Sequence, residues 1–423
     1  MKKILVILSV AFLLPVGAAA ADLLVAEGGA GGAYANIMDA VTAASSGDRI
    51  IITPKAGGAT WNENLTLTTA PNNGKSLQFL SATEGQYWKL NGNITYTPSA
   101  VGQSLTIMGC NITVGNITSG SNAPAGTRCN VVIMGCKLND GYINFNHNYY
   151  NMNVGGDSLM NGYIYMRYGK VMGNFIDTGS LCAHSVNVLT DAAATNDVVY
   201  VIGNKIDCSS SGCGTLYGVI WQSSSQFYHI SNNYIKQNAS SQNSIYVSDS
   251  KTSTATKNKM MNNTCIIVNN NNLGIYVASF GSYHQLFGNV VQHVSGTNSG
   301  YGIGASSNSV FFEASYNYVS SNVAGQAFYV FTNDGTNVSG VTTGYDLNTG
   351  ASTSGAALNG GHPDLQYSDI DLSRNDAGCF GGSWSRANFL NGSPTATQVT
   401  FFDAPGRVLV GNTISITGEG FDK

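Results

Sequence analysis

A six-residue pattern of apolar and small polar positions recurs along the chain: apolar, any residue, Gly or Asn, a small polar residue, any residue, apolar. It reads Ile107-Met-Gly-Cys-Asn-Ile112, Ile133-Met-Gly-Cys-Lys-Leu138, Val154-Gly-Gly-Asp-Ser-Leu159 and Val171-Met-Gly-Asn-Phe-Ile176. Val201-Ile-Gly-Asn-Lys-Ile206 and Ile230-Ser-Asn-Asn-Tyr-Ile235 continue it, with looser copies at 261–266, 286–291 and 314–319. The fourth position falls at Cys110, Cys136, Asp157, Asn174, Asn204, Asn233, Thr264, Asn289 and Asn317. Its spacing stays near 20 to 30 residues, with turn residues at one fixed place, which is the signature of a solenoid. The flanking segments are short and rich in Val, Ile, Tyr and Thr, so they predict strands and not helical stripes.

Each repeat carries a second apolar-x-apolar segment. Examples are Ile143-Asn-Phe145, Ile164-Tyr-Met166, Val186-Asn-Val188, Val219-Ile-Trp221, Ile245-Tyr-Val247, Ile275-Tyr-Val277 and Phe328-Tyr-Val330. The outer two residues of each point into the core and the middle one points to solvent. The outward stripe then reads Asn144, Tyr165, Asn187, Ile220, Tyr246, Tyr276, Gly302 and Tyr329. At the sharp turn, Gly or Asn accepts left-handed backbone. Asn stacked on Asn from coil to coil satisfies the buried turn by hydrogen bonding.

These features predict an all-β, single-stranded, right-handed parallel β-helix of about 9 to 11 coils. At a strand spacing of about 4.8 Å it makes a rod roughly 45–55 Å long. Residues 22–60 read as an N-terminal capping helix and first coil, and 61–385 as the β-helix. Residues 386–423 read as a small C-terminal β-segment with alternating runs at 399–402, 408–410 and 414–416.

Composition agrees. Charged residues make up 10% of the 423, there are 51 glycines, and hydrophobic content is 43%. Helix-rich chains use more Ala, Leu, Glu, Lys and Arg. Residues 1–21 read as a signal peptide, with Lys2 and Lys3 ahead of an apolar run and small residues at 18–21. That run is too short to span a bilayer, and no second one follows. The expected location is secreted or on the outer surface, with no membrane span after cleavage. The formal charge of −4 gives nucleic-acid binding no electrostatic support. Eight cysteines in an exported chain permit disulfides, with Cys208–Cys213 the best pair, while Cys265 reads as a buried thiol.

The repeats at 107–319 and the start at 23–54 resemble the pectate-lyase-like superfamily of secreted bacterial β-helix proteins. That start has a Gly-rich stretch, Tyr34-Ala-Asn-Ile-Met-Asp-Ala-Val, then Gly47-Asp-Arg-Ile-Ile-Ile-Thr-Pro54. The stretch 369–382 resembles the segment that closes many such proteins, and 395–423 resembles the opening of an immunoglobulin-like module. The resemblance implies a surface for long carbohydrates. A lyase needs a proton-abstracting base and a cation beside the carboxylate, and a hydrolase needs paired carboxylates. The galacturonase and pectate-lyase motif sets are absent, and carboxylates are sparse between 100 and 330.

The catalytic candidates that remain are Arg167, Lys170 and His184, against an alternative of exposed basic residues that aid solubility. Tyr165, Tyr246, Tyr276 and Tyr329 form a candidate sugar platform, against ordinary sheet-stabilising tyrosines. Asp369, Asp371 and Asp376, with Ser373 and Asn375, alternate like calcium ligands. They lack the EF-hand glycine and glutamate, and Phe380 stands in the glutamate's place. The alternative is a closing turn in which Arg374 pairs with a carboxylate. No other cofactor is implied. The best-supported reading is a non-catalytic secreted or cell-surface protein that contacts polysaccharide or another surface along the rod. The alternatives are a lyase or hydrolase with a non-standard site, and a structural component of an extracellular layer.

Overall fold

A computed structural model of the chain describes residues 20–181, 183–193, 196–208, 216–238, 243–251, 258–268, 273–278, 282–294, 301–306, 311–320, 327–330, 334–341, 344–346, 352–354, 357–389, 398–403 and 417–421. Three parallel sheets run the length of a β-solenoid of about ten turns, with 12, 11 and 12 strands. One coil shows the plan. Cys129–Met134 belongs to the first sheet (A), Lys137–Asn139 to the second (B) and Ile143–Asn144 to the third (C). Each strand pairs in register with the strand one coil before and one coil after, as Ile133 does with Ile107 and Val154.

The period-two alternation read from the sequence fills the interior. Val201, Ile206, Val219 and Trp221 are fully buried, and one continuous apolar cluster runs from Val25 to Val319. A short helix, α1 (Ile37–Ala43), lays Ile37, Ala40 and Val41 on the start of this core. Both ends of α1 are held by the first coils. The Glu63 carboxylate accepts from Ile37 N–H (2.9 Å) and Met38 N–H (3.0 Å), and Lys75 Nζ donates to the carbonyls of Val41 (2.7 Å) and Thr42 (2.9 Å). Each charge is opposite in sign to the helix dipole at its end, which is the favourable arrangement.

The two-residue turn from sheet A to sheet B explains the six-residue pattern. Its third position is left-handed, with φ from +52° to +68° at Gly173, Gly203, Asn232, Asn262 and Gly288. Its fourth position is an interior ladder of Asn174, Asn204, Asn233, Asn263, Asn289, Asn317 and Asn337. Asn204 is typical. Its Nδ2 donates to Asn233 Oδ1 in the next coil (2.9 Å) and to the Val171 carbonyl in the previous one (3.0 Å). Its Oδ1 accepts from Asn174 N–H (3.0 Å) and Nδ2 (2.9 Å). All four hydrogen-bonding positions of the amide are used without water, which removes the cost of burying it. The ladder slot falls on Asn263, one residue before the Thr264 expected from the loose repeat there. Thr264 faces outward, where its Oγ1 accepts from Cys379 N–H (2.9 Å).

That bond belongs to a strap. Residues 357–389 form no further coil but run back across the outside of the A–B turns. Asn232 Nδ2 donates to the Cys379 carbonyl (3.3 Å), Asn262 bonds Asn375, and Gly378 N–H donates to the Gly288 carbonyl (2.7 Å). Phe389 closes the strap over Gly173 and Gly203, where an added Cβ would lie 2.9 Å and 2.2 Å from its ring. Further on, Gln398–Asp403 and Thr417–Phe421 pair antiparallel. The runs expected at 408–410 and 414–416 and the expected signal peptide, up to residue 19, lie outside the described residues, as does Cys213. Cys208 is a free buried thiol 3.4 Å from Ser185 Oγ. Cys265 is buried and free as expected.

Candidate functional site

The three catalytic candidates do not converge. Arg167 follows its sheet C strand, and its Nε and Nη1 donate to the carbonyls of Asn146 and Thr190, in the coils before and after. This staples three coils and occupies the guanidinium. Lys170 stands on the outer face of sheet A, in register with Asn153 and Tyr200. His184 sits ahead of its sheet C strand with its ring on Tyr217 (5.0 Å between centroids), and its Nδ1 accepts from Tyr217 N–H (3.3 Å). Burial lowers the His184 pKa, which favours the neutral, accepting ring. The three residues occupy three separate places on the coil, so no shared base-and-cation site is formed by them.

The carboxylates 369, 371 and 376 serve the strap's own turns. Asp369 accepts from Asp376 N–H (3.2 Å) and Gly382 N–H, Asp371 from Ser373 N–H (3.0 Å), and Asp376 from Asn359 N–H (2.6 Å). Among the described residues no group of three or more His, Cys, Asp or Glu could hold a metal ion. Arg374 donates to the Gly361 carbonyl (3.0 Å) and lies over the Tyr316 ring, so its turn is closed by a carbonyl.

The tyrosines of sheet C are brought together. Tyr246 and Tyr276 are in register and stacked, with 6.1 Å between centroids and 7° between planes. The outward stripe passes through Gly304, the middle residue of Ile303–Ala305, and not through the expected Gly302. The missing side chain there leaves space that the Tyr329 ring covers, stacked on Tyr301 (4.1 Å, 12°). The row is also longer than the four tyrosines read from the stripe. Tyr217 stacks on Tyr246 (4.9 Å, 13°), Tyr142 on Tyr163 (4.6 Å, 8°), and Tyr163 lies 4.5 Å from Tyr165. These added rings come from positions just before each strand, where the stripe was not sought.

The stacking direction matters for chemistry. Near-parallel rings on successive coils cover one another's faces, so the row presents ring edges more than ring faces. It is a comb of phenols more than a flat platform. Toward the N-terminal end the same positions change character. Asn64, Asn93 and Asn116 form a second ladder: Asn93 N–H donates to Asn64 Oδ1 (2.8 Å), and Asn116 N–H to Asn93 Oδ1 (2.9 Å). Tyr142 N–H continues it to Asn116 Oδ1 (3.0 Å). The signal for this ladder is the repeated Asn64-Leu-Thr, Asn93-Ile-Thr and Asn116-Ile-Thr, which an Asn- and Thr-rich composition disguises. Beside it, Thr66, Thr95 and Thr118 share one outward column.

No family model, no curated protein and no solved structure matches the chain.

Proposed function

We propose that this protein is an exported, right-handed, pectate-lyase-like solenoid that binds polysaccharide through the outer face of sheet C without transforming it. The observation that carries the reading is the aromatic row through Tyr163, Tyr165, Tyr217, Tyr246, Tyr276 and Tyr329, half-exposed on one sheet face. Phenol hydroxyls both donate and accept, and ring edges give apolar contact, which suits the mixed surface of a sugar. Catalysis has less support because Arg167, the strongest cation candidate, spends its guanidinium on backbone carbonyls.

Co-sedimentation with a panel of insoluble polysaccharides tests the reading. Wild-type protein is expected in the pellet with at least one of them, and the Tyr246→Ala/Tyr276→Ala double variant in the supernatant. Equal partition of the two proteins would refute it. Release of unsaturated or reducing ends from any polysaccharide would replace the binding reading with an enzymatic one.

A further inference from the structure

We infer that the sheet C face takes a neutral polysaccharide chain lying lengthwise along the rod, an inference that rests on reading that face as a glycan-binding surface. The first observation is a segregation of charge. Lys170, Lys259 and Glu313 occupy outward positions on sheet A. Lys205, Asp207 and Lys236 occupy outward positions on sheet B. On sheet C the outward register column runs through all eleven strands, from Thr66 to Tyr329, without one charged residue. A uronate or sulfate pressed onto this face would lose its hydration with no cation to compensate, which is costly. The charge carried by the sheet C strands is the acid Asp249, at the end of Asn243–Asp249, and Arg167 at the rim is already bound to two carbonyls. A neutral sugar needs only donors and acceptors, and phenol, hydroxyl and amide groups supply both.

The second observation is shape. Rings meet from coil to coil along the rod, as Tyr217, Tyr246 and Tyr276 do, while each strand adds only one or two outward side chains across it. From Tyr142 to Tyr329 the row crosses seven strand steps, about 34 Å at ~4.8 Å per step. A surface that long and narrow fits an extended chain and not a terminal sugar. Contacts then accumulate with chain length, and both halves of the row contribute to one binding event.

Calorimetric titration of the full chain with size-graded neutral oligosaccharides (from glucan, mannan, xylan and galactan) and with a matched oligouronate series tests this. At least one neutral series is expected to bind, tightening tenfold or more between trisaccharide and hexasaccharide, with little change from 0.05 to 0.5 M salt. Tyr163→Phe and Tyr276→Phe keep the stacking and remove one hydroxyl each, and both are expected to weaken the hexasaccharide severalfold. Preference for the uronates, affinity that is flat beyond the trisaccharide, or indifference to both variants would overturn the inference while leaving a glycan site in place. Binding by neither class would sink the glycan reading itself.

Discussion

Asp157 occupies a ladder slot that the next coils fill with Asn, and replacing it with Asn is expected to stabilise the fold in a pH-dependent way. Its side chain is buried, with Oδ1 accepting from Cys136 N–H and Oδ2 without a hydrogen-bond partner. Burial pushes the carboxyl well above the usual carboxylate range, so the folded protein holds a proton that the unfolded chain releases above about pH 3.8. The sign follows by linkage. The contribution of Asp157 to wild-type stability is greatest at and below that pH, and falls by about 1.4 kcal/mol per pH unit as pH rises, until the folded-state pKa is passed. Asp157→Asn removes this loss.

The amide also completes a rung. By the register of Ile133 with Val154, its Nδ2 reaches Asn174 Oδ1 and the Ile133 carbonyl, as Asn174 Nδ2 reaches Asn204 Oδ1 and the Val154 carbonyl. Two such bonds contribute about 1–2 kcal/mol. The variant is therefore expected to exceed wild type by about 1–2 kcal/mol at pH 4, and the margin is expected to widen as the pH rises from 4 to 6. Histidine titration is common to both proteins and cancels in the difference. Urea unfolding followed by tryptophan fluorescence measures it, since Trp88 is buried one coil from Cys110. A difference that does not change with pH, or a variant less stable throughout, would refute the argument.

Other substitutions probe the remaining parts. Asn233→Ala strips one full rung and leaves Asn204 N–H and the Val201 carbonyl unpaired; a loss of about 3 kcal/mol or more in urea unfolding is expected. Phe389→Ala empties the notch over Gly173 and Gly203, so limited proteolysis should cut within 357–389 much faster while the coils resist. His284, buried with its Nδ1 2.6 Å from Tyr228 Oη, has a pKa pushed down to about 3 by burial. Its stabilising effect is present above pH 6.5 and is lost toward pH 3 at about 1.4 kcal/mol per unit. His284→Gln should therefore flatten the acid limb of the stability profile, read by thermal unfolding between pH 4 and 7.

The coil was legible in the sequence because one constraint repeats. A left-handed residue followed by an Asn with four partners is needed in every turn, and it stands out against variable flanks. It slipped at 263–264, where two adjacent Asn and a run of apolar residues fit the template in either register, and at Gly302, two residues short of the outward Gly304. The aromatic row was half legible for a related reason. The stripe at Tyr165, Tyr246, Tyr276 and Tyr329 follows from strand alternation, but Tyr217 and Tyr301 lie before their strands, where alternation says nothing. Arg167 could not be read correctly from its outward direction alone. Its partners, Asn146 and Thr190, are backbone carbonyls 21 and 23 residues away, and no side-chain pattern records them. The strap was hidden as well, because its contacts are scattered bonds to turns about a hundred or more residues earlier, with no repeat to mark them.

The proposed glycan contact of this protein is the tyrosine face of sheet C. Tyrosine-selective ring labelling with nuclear magnetic resonance, during titration with a polysaccharide that co-sediments with the protein, tests it most directly. Resonances of Tyr217, Tyr246 and Tyr276 are predicted to shift together, while those of the buried Tyr150 and Tyr228 stay fixed. Bound protein with unmoved sheet C tyrosines would contradict the account.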